Sequence, residues 1–263
     1  MSRIKKCLDD FKASGRKALI PYIVAGDPDG VTTLATLHAM VSAGADILEI
    51  GVPFSDPMAE GPVIQKGHER ALASGMSLKH VLELVQQFRS TDNKTPVVLM
   101  GYANPVERMG YAAFADAAVA AGVDGLLTVD MPPEEASDLN RELKRVGIDN
   151  IFLLAPTTTD ERAKQICDLA TGYLYYVSLK GVTGAGNLDI DEVNGKLSHF
   201  RSYTDLPICV GFGIKDASSA RAISKNADGV VVGSVLVDCM GKQGSDIVVE
   251  SVAAIISDIR IAI

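Results

Sequence analysis

Three acids crowd one short stretch of this chain, ILEIGVPFSDPMAEGPVIQ at residues 47–65: Glu49, Asp56 and Glu60. Glu49 sits in an apolar run bounded by Gly44, Gly51 and Pro53, the pattern of a short buried strand. Side chains alternate across a strand, so Ile47, Glu49 and Gly51 share one face, and Leu48 and Ile50 the other. A carboxyl removed from water resists ionisation. Its pKa climbs from about 4.3 toward neutrality, where one group can both give and take a proton. Asp56 and Glu60 lie on the turn-forming loop 53–61 that follows. An acid near a strand's C-terminal end, followed by an acid-bearing loop, is where barrel and open-sheet enzymes place their chemistry. The alternative for Glu49 is a structural ion pair with a neighbouring strand.

A second set of residues lies near the other end of the chain. One apolar run ends in Gly211-Phe212-Gly213 and leads into a helix, and another ends in Gly233-Ser234. Glycines there let backbone N–H groups approach an anion, and a helix N-terminus adds a favourable dipole. Both features suit a phosphate. The run GVTGAG at 181–186 reads as a loop able to act as a lid. GKQGS at 241–245 lacks the Walker A pattern and has no weight.

The elements that must position these residues alternate regularly. After an N-terminal helix over 1–15, strands are predicted at 17–24, 47–51, 95–102, 124–129, 150–154, 173–178, 206–210 and 229–232. Helices are predicted at 31–42, 62–73, 77–89, 106–121, 134–146, 160–170, 191–203, 215–226 and 244–261. Apolar, β-branched strands alternating with helices imply a parallel sheet buried on both faces. Eight such units without a linker predict a single (β/α)8 TIM-barrel domain over 1–263 with an extra N-terminal helix. A doubly wound open sheet would want a Gly-rich turn after the first strand, and Ala25-Gly26-Asp27-Pro28 is not GxGxxG. In a barrel, the strand ends bring Tyr22, Glu49, Met100, Tyr102, Leu127 and Tyr175 together, as a ring-shaped apolar pocket or as packed core.

Composition narrows the partners. Net charge is −8 among 263 residues, against a nucleic-acid or anionic-membrane surface. The four cysteines form no CxxC pair and the four histidines no HExxH or HxH spacing, so a metal site is not expected. Neither a signal peptide nor a membrane-length apolar run is read, and a cytoplasmic protein with reduced thiols is expected. The residues alone thus reach a barrel lyase or isomerase acting on a phosphorylated aromatic or sugar.

LEIGVPFSDPMAEGPVIQ, YANP at 102–105, GVTGA at 181–185 and GFGI at 211–214 together closely resemble the tryptophan synthase alpha chain family, at matching spacing from Lys17 to beyond Ser234. The resemblance implies retro-aldol cleavage of indole-3-glycerol phosphate to indole and glyceraldehyde 3-phosphate. It makes Glu49 the acid–base residue, Glu60 the acid facing the indole N–H, and Tyr175 a residue that orients the site. Tyr22, Ile64, Met100, Leu127 and Phe212 would line the indole pocket, and Thr183 would order the lid. Gly184, Gly213, Gly233 and Ser234 would hold the phosphate. No cofactor is implied in this chain. The implied partner is a beta chain carrying pyridoxal phosphate, in an alpha2-beta2 complex, docked against Pro53, Asp56, Asn104 and Pro132. The chain departs from the family in two places. The usual ADGP reads Ala59-Glu60-Gly61-Pro62, one methylene longer, and Leu179-Lys180 stands where relatives often carry Arg-Ala.

Two other readings compete. Lys180 as a Schiff-base nucleophile would make the chain an aldolase, but such a lysine needs a desolvated site and Lys180 adjoins glycines past a strand end. A barrel that chiefly binds and activates a partner is the other.

Overall fold

The computed structural model describes residues 2–178, 190–211, 213–242 and 245–263. The chain opens with α1 (Arg3–Ser14), β1 (Ala18–Val24), α2 (Gly30–Ser42) and β2 (Leu48–Gly51). It continues through α3 (Pro62–Ala73), α4 (Leu78–Arg89), β3 (Val97–Gly101), α5 (Ala103–Met109), α6 (Tyr111–Ala121) and β4 (Gly125–Thr128). Then come α7 (Ser137–Val146), β5 (Asp149–Leu154), α8 (Asp160–Leu169), β6 (Leu174–Val177) and α9 (Ile190–Phe200). The last elements are β7 (Ile208–Gly211), α10 (Ala217–Ser224), β8 (Gly229–Val232), α11 (Ser234–Lys242) and α12 (Ser245–Ala262). The eight strands pair in parallel in sequence order, and β8 closes on β1. The expected (β/α)8 barrel with its extra N-terminal helix is what forms.

Three differences from the expected elements have physical reasons. The helix expected over 106–121 is two helices, because Gly110 takes φ 88° and ψ 130°, a backbone that breaks the ladder. Its first half starts early, at Ala103, because Pro105 sits in the first turn, where no N–H is needed. Residues 134–136 form turns rather than helix, with Glu135 N–H bonded to Pro132 O and Ala136 N–H to Pro133 O. The helix α11, directly after β8, was not expected at all.

The barrel separates two cores. Its lumen holds Ile20, Tyr22, Ile47, Val98, Leu127, Tyr173 and Tyr175, with Ile4 and Leu8 of α1 packed against them. A larger cluster fills the space between strands and helices, with Ile23, Leu48, Ile50, Leu99 and Val210 facing outward. Each large side chain buried in this way contributes about 1.5–3 kcal/mol. Helix α1 is fixed by Ser2, whose hydroxyl accepts the Lys5 N–H, and by Gly15 in the left-handed region.

The N-terminal rim of the barrel repeats one device four times. Just before each even-numbered strand, one residue exchanges two hydrogen bonds with a residue at or next to the start of the preceding strand. Asp46 donates its N–H to Leu19 O while its carboxylate accepts Leu19 N–H; Asp124 does the same with Val97 and Asp228 with Ile208. Thr171 does it with Asn150 through its hydroxyl. The device fixes the strand stagger, and so the positions at which the strands end at the opposite rim.

Candidate active site

Glu49 leaves β2 toward the lumen, with Tyr22 of β1 and Val98 of β3 as its register partners. It is 1% exposed. The Tyr173 hydroxyl donates to Glu49 Oε1 at 3.2 Å, while Oε2 is buried with no hydrogen-bond partner among the described residues. Burial pushes the carboxyl pKa up to about 8; the Tyr173 hydrogen bond opposes this and the charge of Glu60 adds to it. Glu60, on the loop between β2 and α3, is 8% exposed and burial raises it to about 7. Two desolvated carboxyls near neutrality therefore face the same space.

The tyrosines around them stay protonated. Burial, then the charges of Glu60 and Glu49, raise the Tyr22 phenol well above its usual value. Burial, then Glu49 and Glu60, do the same for Tyr175. Both rings lie across strand ends that glycine leaves open: a Cβ at Gly51 would overlap the Tyr22 hydroxyl, and one at Gly211 the Tyr175 hydroxyl. The glycine after an inward residue thus makes room for a neighbour's ring.

The loop bearing Glu60 is held along its length. Phe54 N–H donates to His68 Nδ1 at 3.1 Å, and the Phe54 ring stacks on Tyr102 with centroids 5.1 Å apart. Ala59 N–H donates to the Tyr102 hydroxyl at 3.1 Å, and Gln65 Nε2 donates to Glu60 O at 2.9 Å. The longer arm of Glu60 is thus carried by a loop whose backbone is pinned on the residue before it.

The remaining expected residues divide clearly. Leu127 is buried in the lumen, and Ile64 and Met100 pack half-buried against it. Gly233 and Ser234 begin α11, where Leu236 and Val237 N–H both return to Gly233 O, so the amides of Ser234 and Val235 open the helix N-terminus. Gly213 is exposed with φ 77° in the neighbouring loop. The N-terminus of α10 is occupied by its own capping box between Asp216 and Ser219, which leaves α11 to offer a helix dipole to an anion. Thr183, Gly184, Phe212 and Lys180 lie outside the described residues. Asp56 and Asn104 are exposed, and Pro53 is buried. Pro132 helps line a recess of about 390 Å³ beside β4 and β5. A second recess of about 180 Å³ sits at the opposite end, beside α1. Neither recess includes Glu49 or Glu60 in its lining.

Sequence reasoning missed Tyr173 and His68. Tyr173 lies two positions before Tyr175 and so shares its face, a signal that was present. His68 carried none, because only the fold of the preceding loop brings Phe54 against it.

These features define a class: a (β/α)8 barrel with two buried carboxyls, both raised toward neutrality, at its C-terminal mouth. Comparison with known proteins narrows the class. The sequence matches the family described as "Tryptophan synthase alpha chain" over residues 8–260. It is 60% identical to the tryptophan synthase alpha chain of Thioalkalivibrio sulfidiphilus over 94% of this chain and 92% of the relative. It is 54% identical to that of Burkholderia pseudomallei over 100% and 97%. The crystal structure of the Legionella pneumophila alpha subunit superimposes with a TM-score of 0.91 at 44% identity, covering 100% of this chain and 98% of that one. A Pyrococcus furiosus tryptophan synthase complex superimposes with a TM-score of 0.84 at 38% identity, covering 92% and 97%. The chain belongs to the tryptophan synthase alpha chain family. Its reaction is cleavage of indole-3-glycerol phosphate, with the indole going to a beta chain. The alpha reaction uses no cofactor; pyridoxal phosphate belongs to the beta chain. Among the described residues, no helix is long and apolar enough to cross a membrane.

Proposed function

We propose that Glu49 is the acid–base residue of this cleavage and Glu60 the acid that faces the indole nitrogen. The observation that carries this is the unpartnered, buried Oε2 of a carboxyl held near pKa 8. Near neutral pH Glu49 holds its proton, and with Oε1 engaged by Tyr173 that proton belongs on Oε2. Glu49 delivers it to indole C3, giving a cationic indoleninium. Glu60, with its pKa near 7, is substantially ionised at the same pH and stabilises the positive N–H that develops. The hydroxyl on the side-chain carbon bound to C3 then loses its proton to Glu49, and the C–C bond breaks. Its electron pair returns to the ring to restore neutral indole, and the alkoxide becomes the aldehyde of glyceraldehyde 3-phosphate. One proton is given and one taken, so Glu49 is ready for another turnover.

Tyr175 orients the substrate, and Tyr22, Ile64, Met100, Leu127 and Phe212 enclose the ring. The amides at Gly213, Gly233 and Ser234, with Gly184, hold the phosphate, and Thr183 orders the lid. The chain acts as one barrel domain over 1–263, in a cytoplasmic alpha2-beta2 complex docked through the loop bearing Asp56 and through Asn104 and Pro132. The four unpaired cysteines support the cytoplasmic assignment.

The test is to incubate the purified chain with indole and glyceraldehyde 3-phosphate and then add a beta chain. Slow indole loss that accelerates with the partner is expected. No loss in either case, from folded protein, would reject the assignment.

A further inference from the structure

His68 belongs to none of the groups named above, yet its surroundings are specific. It lies on α3, just past the acid loop, and is 2% exposed. Its Nδ1 is 3.1 Å from Phe54 N, and a backbone N–H can only donate, so Nδ1 carries a lone pair. The ring hydrogen is then on Nε2, which lies 3.5 Å from the Tyr22 hydroxyl. Burial lowers the imidazole pKa to about 4, which keeps this neutral tautomer in place. The ring therefore touches the acid loop on one side and the lumen on the other.

The loop it touches is pinned at its start and on both sides of Glu60, where Gln65 Nε2 also donates to Glu60 O. Phe54 is held at the start by His68 and by stacking on Tyr102; Ala59, beside Glu60, is held by the Tyr102 hydroxyl. The outer side of the same loop is open, with Asp56 exposed and Met58 80% exposed. We infer that His68 is a positioning residue for Glu60, its Nδ1 ordering the acid loop from inside as a docked beta chain orders it from outside. The inference rests on the assignment of Glu60 above.

It follows that His68 matters most when the partner is absent. In His68→Leu, the Phe54 N–H loses its buried acceptor, and misplacement of a loop acid is costly to rate. We expect kcat of the isolated chain to fall about 10-fold, and kcat with saturating beta chain to fall less than about 3-fold. His68→Asn places an amide oxygen where Nδ1 stood, and should keep the isolated chain within about 3-fold of wild type. His68→Gln reaches toward Tyr22 instead and should be as impaired as leucine. A purely structural role would lower both conditions alike, in proportion to folded protein. Equal losses with and without partner would overturn the inference, and so would an asparagine variant as slow as leucine. If His68→Leu does not fold, the asparagine–glutamine pair decides: an active Asn with an impaired Gln supports it, and equal or reversed activities reject it. Wild-type chain that cleaves nothing would instead break the assignment of the reaction.

Discussion

Two sets of acids, three aspartates at the N-terminal rim and the two glutamates at the mouth, sit in opposite surroundings. At the N-terminal rim, Asp124 receives Arg3 and Arg89 at 2.8 and 2.7 Å and the Val97 N–H at 2.8 Å. Asp46 receives Arg16, Arg260 and the Leu19 N–H, and Asp228 receives Arg201 and the Ile208 N–H. Each of these carboxylates has cationic and backbone partners that hold it in place, although at Asp46 burial still raises the pKa against the pull of the Leu19 N–H and the two arginines. At the C-terminal mouth, among the described residues, no lysine or arginine contributes to the protonation of Glu49 or Glu60. Burial there is opposed only at Glu49, by the Tyr173 hydroxyl, and both carboxyls are raised toward neutral pH. A carboxylate paired with cations is suited to stability, and one desolvated without them is suited to proton transfer.

The largest effect should come from removing the proton at the mouth. Glu49→Gln keeps the shape and the Tyr173 contact but cannot transfer a proton, so kcat should fall by about 10²–10⁴ in a cleavage assay. The same change should stabilise the fold at alkaline pH. The folded pKa of Glu49 is about 8 against an ordinary 4.5, so its protonated form favours folding. That contribution is complete below about 4.5 and disappears as pH rises to about 8. Glutamine removes the penalty, and the melting temperature of Glu49→Gln should exceed wild type at pH 8.5 by more than at pH 5. Equal differences at both pH values would show that Glu49 has an unseen charge partner.

The two carboxyls should also shape the pH profile together. kcat/KM should rise through the pKa near 7 as Glu60 ionises and fall through that near 8 as Glu49 loses its proton, as apparent values of the pair. Glu60→Gln should be severely impaired and should lose the acid limb. Because the Glu60 charge helps raise Glu49, the alkaline limb should move to lower pH in that variant. An unmoved limb would separate the two acids.

At the opposite rim the expected change is in stability alone. Asp124→Ala leaves Arg89 buried without its carboxylate and the Val97 N–H without its acceptor. Breaking a buried pair in this way costs about 3–5 kcal/mol. Denaturant unfolding should report that loss, while kcat per folded molecule stays unchanged. A large fall in kcat would mean that the rim device also sets the geometry of the mouth.

The sequence carried the barrel because period and order carried it: eight apolar runs alternating with helices admit few other closed arrangements. It also marked Glu49, since one acid inside ILEIG is conspicuous. The reciprocal pairs at the rim were not legible. Asp46, Asp124, Thr171 and Asp228 stand at irregular spacing, and only strand register shows that they do one job. His68 was hidden for a related reason, because its partner is a backbone amide fourteen residues away across a loop. The break at Gly110 was hidden because its flanks are strongly helix-forming and a lone glycine is often tolerated.

The smallest effect bears on the methylene that separates Glu60 from the family's aspartate. Displacements near 1 Å can cost about 100-fold when an acid must meet a fixed partner. Here the backbone before Glu60 is tied to Tyr102 and the backbone at Glu60 to Gln65, so the loop has its own set position. Glu60→Asp should nonetheless remain active, within about 10-fold of wild type, because the acid stabilises a developing charge and does not have to reach a single atom. The loss should be larger in the isolated chain than with a beta chain bound, since a docked partner can press the loop inward. Steady-state cleavage in both conditions measures it. A dead Glu60→Asp would mean that this loop is built to the length of glutamate, and that the proton near the indole nitrogen is transferred outright rather than held by charge.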